Sequence, residues 1–173
     1  MTERQKYQVL QQYDGFELRK YEPCVVAEVV ISGDYTSAAS KAFRHLFTYI
    51  SKGNHTSKAI AMTAPVIAVT ESSLESEEWK VHFVMPAGAT LKDLPLPNSA
   101  MVELQELPAE NCVSISFRGR ATKRLCEKKE EILRLSAQQE HFSLSHETRV
   151  CRFDPPFKPG FMHYNEIVIP IFS

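Results

Sequence analysis

The sequence predicts an α+β fold made of two similar ββαββ halves. Three observations carry that prediction. The segments VVAEVVISGDYTSAASKAF and VSISFRGRATKRLCEKKEE share one order: an alternating strand, a glycine break, then a helical pattern. Strand-like runs flank each of them on both sides. Pro86–Asn98, with its prolines at 86, 95 and 97, reads as a connector between the halves.

Taken in order, Phe16–Tyr21 is a short strand and Cys24–Ile31 a second. Val25, Ala27, Val29 and Ile31 of the second fall on one face, which belongs to a core. Gly33-Asp34 breaks it, and a helix is expected to start near Thr36 or Ser37, either of which can cap its free amides. Ala39, Ala42, Phe43, Leu46, Phe47 and Ile50 trace its apolar stripe, and Gly53-Asn54 suits a left-handed stop. Ile60–Val69 is a long strand that Pro65 marks as an edge or a bulge. Thr70–Glu78 is a polar hairpin loop. Lys80–Met85 alternates, with Val81, Phe83 and Met85 inward and His82 outward. The second half gives strands at Met101–Glu106 and Cys112–Arg118 and a helix at Ala121–Ala137, with Leu125, Ile132 and Leu133 as core candidates. Strands near Glu147–Phe153 and Tyr164–Phe172 complete it. The halves span about 10–86 and 99–173 of a single domain, 1–173. Two such units can join their sheets as a barrel or a sandwich with both helices outside. A groove where helix meets sheet is then a usual place for a ligand.

The composition is that of a globular chain with a sizeable core: 173 residues, 43% hydrophobic, 24% charged, net charge −1. No polybasic run points to nucleic acid or an anionic membrane. No apolar stretch approaches the ~20 residues of a membrane span. Met1–Leu10 has neither a signal core nor transit character, so a cytoplasmic protein is expected. Cys24, Cys112, Cys126 and Cys151 form no C-x-x-C pair and no zinc spacing, and read as reduced thiols.

Three segments resemble the SOUL haem-binding protein family. They are Phe16-Glu17-Leu18-Arg19-Lys20-Tyr21; then Tyr49-Ile50, Gly53-Asn54 and Ile60-Ala61-Met62-Thr63-Ala64-Pro65-Val66, with Phe83-Val84-Met85-Pro86 after them; and Phe153-Asp154-Pro155-Pro156-Phe157-Lys158-Pro159 with Asn165-Glu166. The resemblance covers almost the whole chain. It implies a distorted antiparallel β-barrel from two pseudo-symmetric halves, flanked by two helices. It also implies haem or another tetrapyrrole as ligand, in a slot between the first helix and the loop before the last strand.

A tetrapyrrole needs a flat apolar slot and cations for its propionates, and its iron can take an axial ligand. Phe43 and Phe47 lie one turn apart on the first helix, beside Lys41, Arg44 and His45. Phe43 and Phe47, each taken singly, are also expected as core residues. The loop offers Phe153, Phe157, Lys158, Phe161, Met162 and His163. Where one branch of the family has a histidine before the tyrosine of the first motif, this chain has Lys20, a poor iron ligand at neutral pH. His163 is the metal-ligand candidate in its place. Met62 is expected to pack, and Asn165-Glu166 to satisfy backbone groups at a loop base, with no partner evident for Glu166. No catalytic triad, phosphate loop or carboxylate pair stands out.

The expected function is therefore reversible binding of haem or a related tetrapyrrole, as carrier or buffer. The candidate residues are Lys41, Phe43, Arg44, Phe47, Phe157, Lys158, Phe161 and His163. An enzyme acting on a bound tetrapyrrole, for example by iron release, is the first alternative. A cell-death or stress interaction module is the second, with the charged helix 121–137 as its contact segment.

Overall fold

Strands that bury side chains on both faces fix this architecture. The computed structural model describes residues 2–172. Its strands are β1 (Glu3–Arg4), β2 (Tyr7–Gln12), β3 (Glu17–Tyr21), β4 (Cys24–Ser32), β5 (Thr63–Ala64), β6 (Val66–Thr70), β7 (Glu78–Val84), β8 (Glu103–Leu107), β9 (Glu110–Arg118), β10 (Thr148–Arg152) and β11 (Tyr164–Pro170). The helices are α1 (Tyr35–Ile50) and α2 (Lys123–Gln139), and a 3₁₀ turn spans Gly160–Met162.

Nine strands form one antiparallel sheet in the order β2-β3-β9-β11-β10-β6-β7-β4-β8. The strand that opens each half joins the other half: β3 pairs with β9, and β8 pairs with β4. The sheet is curled but open, with β2 and β8 as its edges, so the expected barrel is a half-barrel. A separate parallel ribbon joins β1 to β5.

The helices cover one face. α1 lies on β4 and β7, and α2 on β9 and β11. Val25, Ala27 and Val29 of β4, Val81 and Phe83 of β7, Val113 and Ile115 of β9, and Ile167 and Ile169 of β11 make the main core with Leu46 of α1 and Leu133 of α2. The alternate positions form a second cluster on the inner face: Tyr21, Val26, Ile67, Val69, Val84, Cys112, Cys151 and Val168. His82 belongs to that inner face. It alternates with core residues as expected, but it is buried rather than facing water, because Glu28 on the neighbouring strand accepts its Nε2 at 2.9 Å.

Several local expectations are corrected. Asp34, not Thr36 or Ser37, caps α1, its Oδ1 accepting the Ser37 amide at 2.8 Å. The buried stripe of α1 is Tyr35, Ala38, Ala42, Leu46, Tyr49 and Ile50. It is rotated from the expected one, and Phe43 and Phe47 lie exposed on its flank. Of the three core candidates on α2, Leu133 is fully buried, Leu125 is half-buried and Ile132 is exposed; Cys126 and Ala137 complete the stripe. The expected strand Ile60–Val69 is divided at Pro65 into β5 and β6. The left-handed residue after α1 is Lys52, at φ 81°.

Gly53 is needed for a different reason. A Cβ there would lie 2.5 Å from the Thr48 carbonyl oxygen, which belongs to the backbone and cannot swing away. Gly53→Ala is expected to destabilise the fold by about 1–3 kcal/mol, read as a shift of the denaturation midpoint at unchanged m-value.

Candidate functional site

The exposed flank of α1 is apolar where a surface helix is usually polar. The rings of Phe43 and Phe47 stack with centroids 5.7 Å apart, and Phe43 meets the edge of Phe83 at 5.3 Å. They remain 37% and 47% exposed. Lys41 and Arg44 are exposed on the same helix and make no ion pair among the described residues.

Residues 153–163 leave the end of β10. Phe157 and Phe161 point outward, 89% and 78% exposed, among Pro155, Pro156 and Pro159. Phe83, under Phe43, and Arg152, at the root of this loop, are both register partners of Val66. Two strand spacings therefore separate them, roughly 10 Å. Val66 and Met62 pack against the main core, Met62 structurally as expected. The two candidate sets lie on elements to either side of β6, and Phe153, expected with the loop set, packs on the inner-face cluster instead. No hydrogen bond, ion pair or ring contact joins them among the described residues.

The loop is internally tied. Lys158 Nζ pairs with Asp154 Oδ1 at 2.8 Å, and Asp154 Oδ2 accepts the Tyr164 amide at 2.6 Å. The Lys158 hydrogen bond, helped by the Tyr164 amide, holds the Asp154 carboxyl below its ordinary range. His163 Nε2 donates to the Lys158 carbonyl at 2.7 Å. That bond fixes the tautomer and leaves only Nδ1, the nitrogen nearer the backbone, with a lone pair. Lys158 and His163 are therefore both engaged within the loop. Among the described residues no group of three or more His, Cys, Asp or Glu is placed to hold a metal ion. The groups presented by α1 and the loop are rings and cations, together with the histidines His45 and His163.

The inner face carries a second polar arrangement. Arg19 donates to both oxygens of Glu166 at 2.8 Å, to Glu17 at 2.8 Å and to the Tyr21 hydroxyl at 2.9 Å. Tyr164 donates its hydroxyl to Glu166 at 2.6 Å. Arg19 and Glu166 are both buried. Burial alone would lower the Arg19 pKa, but the Glu166 hydrogen bond outweighs it and the pKa lies above the usual guanidinium value. Burial and the bond to Glu166 push the Tyr164 phenol up to about 12. Sequence reasoning left Glu166 without a partner. The signal was present in the alternation Glu17, Arg19, Tyr21, which puts an acid, a base and a phenol on one face of the strand. Asn165 behaves as expected, its Nδ2 donating to the Gly119 carbonyl at 2.7 Å.

Comparison with protein families settles what this combination of fold and motifs is. The model described as SOUL heme-binding protein matches residues 2–170. The chain belongs to the SOUL heme-binding protein family. No curated protein matches it significantly. Among solved structures this SOUL chain resembles the EcmrR C-terminal domain, at TM-score 0.71 and 15% identity, over 96% of this chain and 98% of that one. It also resembles a hydrolase from Listeria innocua, at TM-score 0.60 and 14% identity, over 94% of each chain. At such identities the likeness is one of fold. No helix of this SOUL chain, among the described residues, is long and apolar enough to cross a membrane.

Two outcomes test the ion pairs. Arg19→Met strands a buried carboxylate and is expected to cost about 3–5 kcal/mol, while Arg19→Met with Glu166→Leu recovers part of that loss in chemical denaturation. A carboxyl whose pKa is depressed by folding contributes stability above its ordinary range, and that contribution is lost as pH falls through the folded value. The melting-temperature gap between wild type and Asp154→Asn is therefore full above pH ~4 and closes below it.

Proposed function

We propose that this chain binds haem or a related tetrapyrrole reversibly in the cleft between α1 and residues 153–163, as a carrier or buffer in the cytoplasm. Membership of the SOUL family supports the ligand class. The observation that supports the location is the exposure of four phenylalanines, Phe43 and Phe47 on α1 and Phe157 and Phe161 on the loop after β10. Apolar rings held in water favour a ligand that covers them, at about 25 cal/mol for each Å² removed from solvent. Lys41 and Arg44 are the cations for the propionates. Lys158 serves as a third if it leaves Asp154.

His163 is the proposed axial contact, through Nδ1, and a weak one because Nε2 is already committed to the loop. This predicts hydrophobic retention with little dependence on iron. The whole chain acts as one unit in this reading. Its halves, about 10–86 and 99–173, are related by an approximate twofold that the strand order supports.

Titration of hemin into the pure protein is expected to give a saturable Soret shift and quenching of Trp79. Phe43→Ala combined with Phe47→Ala is expected to weaken binding at least ~10-fold, by removing two apolar contacts of order 1 kcal/mol each. His163→Ala is expected to change the spectrum more than the affinity. Iron-free porphyrin is expected to bind within a few-fold of hemin. Unchanged hemin binding in the double phenylalanine variant overturns the location, and no spectral change with the wild type overturns the function.

A further inference from the structure

The inner face of the half-barrel holds an arrangement that the cleft does not use. Residues 3–6 cross its mouth. β1 pairs with β5, the Gln5 amide donates to the Ala64 carbonyl at 2.9 Å, and the Glu22 amide donates to the Lys6 carbonyl at 3.1 Å. From this strap Arg4 lays its guanidinium over the Phe153 ring, 4.9 Å from the centroid, and 5.7 Å from that of Tyr164. The two rings meet edge to face at 5.1 Å. Beneath lies a void of about 20 Å³ lined by Arg4, Gln5, Tyr7, Tyr21, Cys151 and Glu166, among others.

The floor of that void is prebuilt. Glu166 is buried and held by Arg19 and Tyr164, so its carboxylate is fixed whether or not Arg4 is present. On the same face Ser114 is 1% exposed, and its hydroxyl has no hydrogen-bond partner among the described residues. Arg4 itself is exposed and makes no ion pair among the described residues. Its side chain is positioned by the two rings rather than by a carboxylate. Arg118 also stacks on Tyr164, at 5.2 Å, but it is tied to the Met162 carbonyl and stays with the loop. Planar cations over aromatic faces are attracted by the ring quadrupole. A guanidinium tethered through a short strap is then a built-in competitor, at the high effective concentration of an intramolecular group.

We propose that Phe153 and Tyr164 form a second binding site, for a flat amidinium- or guanidinium-bearing aromatic cation, and that Arg4 fills it in this structure. The site lies on the face of the sheet opposite the helices and takes a cation, whereas the α1 cleft suits an anionic macrocycle. An incoming ligand displaces the Arg4 side chain and leaves the backbone of β1 in place.

The test uses the flat fluorescent diamidine DAPI on the full chain. Arg4→Ala is expected to bind it saturably and at least ~10-fold more tightly than wild type, the scale of one lost cation–π competitor. Arg4→Gln, which keeps a polar side chain without the guanidinium and its charge, is expected to behave similarly. Adding Phe153→Leu to Arg4→Ala is expected to abolish the gain, while adding Phe43→Ala leaves it intact. Equal affinity of wild type and both Arg4 variants overturns the proposal, as does no binding by any of them, or a gain that survives Phe153→Leu. Hemin titration of Arg4→Ala is expected to match wild type, so a failure here and a failure of the cleft reading are told apart.

Discussion

Arg19 and Glu166 hold the structure together from inside its inner face. Their sequence positions are 147 residues apart, yet two parallel hydrogen bonds of 2.8 Å join them. Both are on strands that flank β9, so the pair clamps β3 to β11, the last strand in the sequence, across a third. Such a pair contributes little as net stability, because both charges lose their water. What it contributes is selectivity. Any register of β3 on β9 shifted by one residue turns Arg19 toward the helices and leaves Glu166 buried alone. The open curl of the sheet, the second apolar cluster and the position of the strap all depend on that register.

The helix face follows different rules. Its core is assembled from strictly alternating positions, and the helices settle on it through small and branched residues. Phe43 and Phe47 are therefore turned outward by the same rotation that turns Ala38, Ala42 and Leu46 inward. The loop after β10 adds two more exposed rings, and prolines hold them there. The sheet keeps a buried polar layer on one side, and α1 leaves two rings uncovered on the other.

Much of this was legible in the sequence. Period-two alternation located the long strands β4, β7 and β9 and assigned their helix-facing residues correctly. Two glycine breaks and the helical spacing located α1 and α2. The motifs fixed the family. What alternation could not reveal was the fate of the second face, because a strand buried on both sides and a strand half in water differ in only a few residues. His82 was read as outward for that reason. The stripe of α1 was misphased because phenylalanine weighs more than alanine in any apolar pattern, although alanine is what a close-packed helix needs. The Glu166 partner was missed because nothing in a linear sequence pairs residues so far apart. Of the candidate site, the residue types and their two segments were readable, but the internal ties of Lys158 and His163 were not, since they depend on the path of the loop.

The four cysteines bear on how such a protein would coexist with its ligand. Three are buried and the fourth is half-buried. Burial pushes the Cys112 thiol up to about 12, and it raises Cys24, Cys126 and Cys151 as well. Thiolate is the form that attacks, oxidises and ligates. The raised pKa values keep these sulfurs protonated, so under the proposed function the iron of a bound macrocycle meets no ready thiolate.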